Sequence, residues 1–150
     1  LVAMFTGKGE IGNSAMLRQQ LIDLGIEMFK KHPILGIGIG CPHIIAGQVL
    51  NFDAYLHNNF VEVLAGGGII GFLLYYGAYG YLIVKFYKLR KMGTKIYSLC
   101  IILLLICLFR EYAMVSIYDK STYFYFMIYF MEVDKLKQIK RRKTNVVISR

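Results

Sequence analysis

The main feature of the sequence is a long apolar segment, residues 60–84, in which Glu62 is the single charged residue. A helix over residues 58–86 rises about 1.5 Å per residue and is therefore long enough to cross the roughly 30 Å hydrocarbon core of a bilayer. Two further apolar runs predict transmembrane helices over residues 94–109 and 113–131. The pattern therefore predicts an all-α integral membrane protein with about three transmembrane helices.

Residues 14–31 show the different pattern of an amphipathic helix. Four large apolar side chains share one face of the helical wheel: Leu17, Leu21, Leu24 and Met28. Asp23 lies on the opposite face, and the His32-Pro33 pair ends the helix. We expect this helix to lie on the outer surface of the bilayer, within an outer loop that covers residues 6–57.

Arg18 departs from this pattern because the helical wheel places it between Leu21 and Ile22, inside the apolar arc. One interpretation is an arginine that snorkels past its neighbours to the lipid headgroups. The other is a cation held over a site for an anionic ligand. The sequence leaves both interpretations open.

A glycine-rich run follows in residues 32–43, where Gly36, Gly38 and Gly40 alternate with isoleucines. Glycines at this density allow a tight backbone and the close approach of a ligand or another chain. The run is not a Walker loop, because no Gly-Lys-Ser/Thr follows, and the spacing of its histidines and cysteine matches no common zinc site. Residues 44–56 are expected to form a loop or a short helix.

The polar sequence His57-Asn58-Asn59 precedes the long apolar helix. Either asparagine is a good N-cap, and the positive end of the helix dipole favours an anion nearby. His57 is open to two interpretations, a neutral hydrogen-bonded histidine at the membrane interface or a functional residue. Gly67 and Gly71 form a G-x-x-x-G pair that predicts close helix packing.

Composition and charge support a membrane protein and predict its orientation. The 150 residues are 57% hydrophobic with a mean hydropathy of +0.50, which is too apolar for a soluble domain of this size. The formal net charge is +9, and basic clusters in residues 85–95 and 135–150 flank apolar runs. By the positive-inside rule both clusters should be cytoplasmic, which explains them better than binding to nucleic acid does. We expect the second cluster to contact anionic lipid and to be partly disordered.

The two ends of the chain and its cysteines add little chemistry. The chain begins with Leu1, and residues 1–5 are typical of the end of an earlier membrane helix, so we expect a C-terminal fragment of a larger polytopic helical bundle. Three scattered cysteines, Cys41, Cys100 and Cys107, do not indicate a disulfide framework.

Three motifs in this order resemble the C-terminal part of the O-antigen ligase and polymerase family of bacterial membrane glycosyltransferases. They are residues 32–40 (HPILGIGIG), residues 57–62 (HNNFVE) and residues 68–71 (GIIG), the last at the entry to the apolar helix. The resemblance covers roughly residues 14–86. The two later apolar runs agree with the family only in being membrane helices.

The resemblance implies an enzyme that transfers a glycan from a polyprenyl-pyrophosphate carrier to an acceptor sugar hydroxyl on the outer side of the bacterial cytoplasmic membrane. The acceptor would be another lipid-linked repeat unit in a polymerase, and lipid A core or a protein in a ligase. No nucleotide sugar, metal or other cofactor is expected. The expected partners are the lipid-linked glycan, membrane lipids and the N-terminal helices of the parent chain.

The functional arginine and histidine of the family carry over to Arg18 and His57. Arg18 would stabilise negative charge on the pyrophosphate leaving group, and His57 would take the proton of the acceptor hydroxyl. Six further residues are expected to contact substrate: Asn58, Asn59, Glu62, Gly36, Gly38 and Gly40. The alternative is a non-catalytic polysaccharide transporter or flippase segment, which would be expected to place polar groups near the middle of the membrane.

Overall fold

The computed structural model describes residues 12–51, 54–89 and 96–148, and within these ranges the backbone forms five α-helices and no strand. The helices are α1 (Gly12–Lys31), α2 (Cys41–Leu50), α3 (Asn59–Leu89), α4 (Ile96–Glu111) and α5 (Lys120–Ile148). The predicted all-α class is therefore confirmed. The chain divides into two compact units: unit 1 is Leu1–Tyr76 with Phe109–Tyr118, and unit 2 is Gly77–Leu108 with Asp119–Arg150.

The third predicted transmembrane helix, residues 113–131, begins later in the structure than the sequence predicted. A helix was expected from residue 113, but residues 112–119 form a turn and α5 begins at Lys120. The amides of Ser116 and Ile117 donate to the side-chain oxygen of Asn59 instead of entering a helix. The carboxylate of Asp119 then accepts from the amide of Ser121 and so caps the start of α5.

The basic tail is helical where partial disorder was expected, and this expectation was wrong over the described residues. Helix α5 continues without interruption to Ile148. Two pairs of opposite charge at a spacing of three residues support it, Glu132 with Lys135 and Asp134 with Lys137. Lysine, arginine and glutamine also have high helix propensity, so the polar composition of the tail does not oppose a helix.

Helix α3 is long and apolar enough to cross a membrane by its length and composition, and among the described residues it is the helix that meets both conditions. It has 31 residues, more than the about 20 that a span needs. Helix α4 has 16 residues. The predicted number of spans and their orientation therefore stay predictions.

Unit 1 has a core formed by α1, α2 and the start of α3. The predicted apolar face of α1 is confirmed, because Leu21 and Met28 are buried against Ala46 of α2 and against Leu56, while Leu17 and Leu24 pack on the same cluster. Helix α1 approaches the start of α3 closely at Gly25. A Cβ atom there would lie 2.5 Å from side-chain atoms of both Leu56 and Val61.

Unit 2 contains the second half of α3 together with α4 and α5. Its buried side chains come from one face of each helix: Tyr79, Leu82 and Phe86 of α3, Tyr97, Cys100 and Leu104 of α4, and Val133 and Leu136 of α5. Aromatic rings meet edge to face between α3 and α5, as in the pair of Tyr79 and Phe126 at 4.7 Å. Large apolar side chains such as Leu99 and Ile106 are exposed on α4, which is typical of a surface that contacts lipid or protein.

Candidate active site

Helix α3 is interrupted at Gly68, whose backbone has φ 60° and ψ −163°. The break leaves backbone amide and carbonyl groups on both sides of Gly68 without their usual helical hydrogen-bond partners. The glycine-rich segment supplies partners for them. Four hydrogen bonds do this: Ile69 N to Pro33 O (2.9 Å), Ile70 N to Ile34 O (3.3 Å), Ile37 N to Ala65 O (2.9 Å) and Gly38 N to Gly66 O (2.9 Å). Residues 33–38 therefore replace the missing helical bonds and fix this segment against α3.

Glycine is required where the two backbones meet. A Cβ atom at Gly36 would lie 2.4 Å from the carbonyl of Gly66, and one at Gly68 would lie 2.3 Å from the carbonyl oxygen of Ile34. Gly36, Gly38 and Gly40 also have left-handed φ values of 69°, 109° and 91°, which side chains disfavour. The close approach predicted for the glycine-rich run is therefore made with α3 of the same chain. The predicted contact of these three glycines with substrate stays a prediction.

The G-x-x-x-G pair does not make the predicted close contact within the described part of the chain. A Cβ atom at Gly67 or Gly71 would meet no atom within 4 Å. The glycines that allow close packing are instead Gly66 and Gly68, which lie on either side of Gly67. The sequence therefore indicated the correct region but the wrong members of the glycine cluster.

Asn58 caps α3, since its side-chain oxygen accepts from the amide of Val61 at 3.2 Å. Asn59 is fully buried and joins the helix to the turn after α4. Its oxygen accepts from two amides of that turn at 2.9 Å, and its amide group donates to the Tyr76 hydroxyl and to the Glu111 carboxylate. Asn59 therefore holds the position of the helix start.

Glu62 is buried and connects three segments that surround the helix start. One carboxylate oxygen accepts from the amide of Leu56 at 3.1 Å, and the other accepts from the hydroxyl of Tyr118 at 2.8 Å. The same hydroxyl accepts from the amide of Gly40 at 3.1 Å. These bonds position the residues around His57. Direct contact of Asn58, Asn59 or Glu62 with substrate stays a prediction.

His57 lies immediately before the cap of α3 and is partly buried. Its φ of 54° is in the left-handed region, which is uncommon for a residue with a side chain and often marks a functional position. Burial lowers the pKa of His57, and the positive charge of Arg18 lowers it further. Arg18 lies on α1, far from His57 in sequence, and is exposed.

This arrangement is suited to proton transfer beside an anion. A pKa below its ordinary value keeps the imidazole of His57 neutral at neutral pH, so that it can accept a proton. The guanidinium of Arg18 carries a fixed positive charge that can bind two oxygens of a phosphate group. The catalytic roles of Arg18 and His57 stay predictions.

Several positioning residues were missed by the sequence analysis. Glu111 is fully buried at the end of α4, and its carboxylate accepts from Asn59 and from the hydroxyl of Ser116. Tyr118 bridges Glu62 and Gly40. The available signal for Glu111 was its place at the end of an apolar run, where a carboxylate can become buried. A buried carboxylate needs hydrogen-bond donors, so Glu111 could have been expected to organise polar groups around it. Nothing in the local sequence marked Tyr118.

One comparison with known proteins matches the part of the chain that contains α1, α2 and the start of α3. A family model described as O-antigen ligase matches residues 3–76, slightly less than half of the 150 residues. No curated protein and no solved structure matches the chain at a significant level. The matched region contains Arg18, His57, Glu62 and the break at Gly68, and the family is membrane-associated. Residues 3–76 are therefore similar to the O-antigen ligase family, which is consistent with a C-terminal fragment of a member of that family.

Proposed function

We propose that the chain contributes the catalytic residues of a membrane glycosyltransferase that acts on the outer side of the bacterial cytoplasmic membrane. The enzyme transfers a glycan from a polyprenyl-pyrophosphate carrier to a sugar hydroxyl during synthesis of a surface polysaccharide such as O-antigen, capsule or exopolysaccharide. The match of residues 3–76 to the O-antigen ligase family model supports this reaction class. The observation that carries the proposal is His57, which is partly buried, has a left-handed backbone and lies directly before the cap of α3.

His57 acts as the general base in this proposal. A sugar hydroxyl is a poor nucleophile until a base takes its proton. The neutral imidazole accepts that proton while the acceptor oxygen bonds to the anomeric carbon of the donor. The bond between that carbon and the phosphate oxygen breaks, and its electron pair leaves with the pyrophosphate.

Arg18 stabilises the leaving group. Negative charge on the bridging pyrophosphate oxygen grows as the glycosidic bond breaks, and a guanidinium that is already in position lowers the energy of that state. The positive end of the α3 dipole lies in the same region, because Asn58 caps the helix directly after His57. One cation and one helix end are thus available for the anion.

Hydrogen bonds on both sides of His57 keep it in place. The preceding residue, Leu56, donates its amide to Glu62, and the following residue, Asn58, caps the helix. A left-handed backbone at a residue with a side chain persists only when its surroundings impose it. These two bonds provide that constraint, so the backbone at His57 is fixed before substrate binds.

The proposal is tested by the glycan chain-length ladder of cells that carry His57→Gln or Arg18→Lys. Glutamine keeps polar volume but is not a base, and lysine keeps the charge but loses the planar fork that binds two phosphate oxygens. Both variants should abolish or strongly reduce the glycan product at unchanged protein level in the membrane. His32→Gln is the matched control, because His32 is an exposed histidine of the same region. Unchanged ladders from both test variants would refute the proposal.

A further inference from the structure

Residues 54–58 alternate between buried and exposed positions next to His57. Ala54, Leu56 and Asn58 are 3%, 0% and 7% exposed, whereas Tyr55 is 42% exposed and His57 is partly exposed. Tyr55 and His57 are therefore the two residues of this segment that are accessible from outside. Their Cα atoms can be at most about 7 Å apart.

The ring of Tyr55 is part of an aromatic cluster with His43 and Tyr118, which we call the aromatic platform. It stacks on the His43 ring with centroids 4.3 Å apart and planes at 15°, and it lies 6.0 Å from the Tyr118 ring. A nitrogen of His43 lies 3.1 Å from the carbonyl oxygen of Ala54. The hydroxyl of Tyr118 is held by Glu62 and by the amide of Gly40. The platform is therefore fixed by contacts from α2, α3 and the turn after α4.

The exposure of Tyr55 distinguishes it from aromatic residues that serve only to fill the core. Tyr79 and Tyr97 are 3% and 1% exposed. Tyr55 presents its ring at the surface, and its orientation is fixed by stacking. Aromatic side chains together with a few fixed polar groups are the usual lining of small-molecule sites, and Tyr55, His43 and Tyr118 supply both kinds of group. The C–H groups on one face of a sugar ring carry partial positive charge and pack well on the negative face of an aromatic ring.

We infer that the aromatic platform binds a sugar ring of the acceptor saccharide and presents one of its hydroxyls to His57. This inference rests on the proposed function, in which His57 takes the proton of that hydroxyl. The acceptor is favoured over the donor because Arg18, the expected partner of the donor pyrophosphate, comes from α1. The platform comes from α2, the 54–58 segment and the turn after α4. A sugar ring stacked on Tyr55 can present a hydroxyl to His57, because the Cα atoms of the two residues are at most about 7 Å apart.

The test is a transfer assay in membranes that contain the native protein. The donor is the lipid-linked repeat unit of the same cells, and the acceptor is its repeat-unit oligosaccharide, released from lipid and supplied at graded concentrations. Tyr55→Ala and Tyr55→Leu should raise the half-saturating acceptor concentration about tenfold, which corresponds to about 1.4 kcal/mol. Tyr55→Phe and Tyr55→Trp should stay within about twofold of wild type, because both keep an aromatic face.

Two controls separate binding from other effects. Tyr112→Ala should change nothing, because Tyr112 is a tyrosine of the same unit, 70% exposed and outside the platform. His57→Gln should lower the maximal rate with little change in the half-saturating concentration. If Tyr55→Ala fails to accumulate, Tyr55→Leu carries the comparison, since leucine retains apolar volume.

The outcomes distinguish this inference from the proposed function. An active wild-type enzyme whose Tyr55→Leu variant saturates at the wild-type acceptor concentration overturns the platform and leaves the proposed function intact. That result would assign Tyr55 to packing or to the membrane interface. A wild-type protein that transfers glycan to no acceptor overturns the proposed function and the platform with it.

Discussion

The break in α3 makes a sharp prediction about two neighbouring glycines. Gly68 has φ 60° and ψ −163°, a region of backbone conformation that is essentially restricted to glycine. An alanine Cβ at this position would lie 2.3 Å from the carbonyl oxygen of Ile34 and 2.6 Å from the amide nitrogen of Gly36. Both atoms belong to the backbone and cannot turn away as a flexible side chain could. Gly68→Ala should therefore destabilise unit 1.

The magnitude follows from two contributions. The backbone conformation should cost about 1–3 kcal/mol when a side chain is present. The overlap with residues 34–36 should cost about a further 1–3 kcal/mol, as for other overpacked positions. If the segment moves away to relieve the overlap, the hydrogen bonds from Ile69 and Ile70 to it are lost as well. A total of roughly 2–6 kcal/mol is a large part of the about 5–15 kcal/mol by which folded proteins are stable.

The assay compares the midpoint of thermal unfolding of the detergent-solubilised protein with that of Gly67→Ala. Gly67 is helical and a Cβ atom there meets nothing within 4 Å, so alanine should be neutral or stabilise by about 0.5–1 kcal/mol. The account expects a clear fall for Gly68→Ala and no fall for Gly67→Ala. Equal midpoints for the two variants would show that the break at Gly68 is not formed.

Three further predictions concern the network, the pH dependence and the topology. Glu62→Ala should lower the free energy of unfolding by about 3 kcal/mol or more, because it leaves the amide of Leu56 and the hydroxyl of Tyr118 without their acceptor. Glu62→Gln should lower it by about 1–2 kcal/mol. Equal unfolding midpoints for the two variants and wild type would contradict this. His57 must be neutral to act, and its pKa lies below the ordinary value, so kcat/KM should fall only below about pH 6.5. Arg18→Gln removes a positive charge that lowers this pKa, and the acid limb of its residual activity should move to higher pH; an unmoved limb would show that Arg18 does not act on His57. In a background without native cysteines, Gln19→Cys should react with an impermeant thiol reagent on spheroplasts, while Lys88→Cys should react only after permeabilisation, and the reverse labelling would refute the predicted orientation.

Features with a local cause were predictable from the sequence. The amphipathic pattern located α1 and its buried face, because Leu21 and Met28 face the core through helical spacing alone. The long apolar run located α3, and the asparagine pair located its start, although only the structure shows that Asn58 is the cap. Motif order alone indicated the resemblance to the O-antigen ligase family, and the family model matches the same region.

Features that depend on contacts between distant segments were not predictable. Three consecutive glycines allow a break in α3, but its position at Gly68 depends on the backbone of residues 33–38. The helix expected from residue 113 was lost because the side chain of Asn59 captures two amides of the turn.

The site shows the same division between local and distant causes. His57 was recognisable from the asparagines beside it, whereas Arg18 had no local motif and was singled out by its place in the apolar arc. The electrostatic effect of Arg18 on His57 exists only once α1 packs on the start of α3. The role of Tyr118 likewise depends on three segments meeting, so no local pattern predicts it.

The central claim is that His57 takes the proton of the acceptor hydroxyl, and the most direct test is the rate of glycan transfer by His57→Ala in membranes. The account predicts a loss of about 10²–10⁴-fold at normal protein level, with partial recovery when imidazole is added to supply the missing base. A rate within a few-fold of wild type, with no response to imidazole, would contradict the claim.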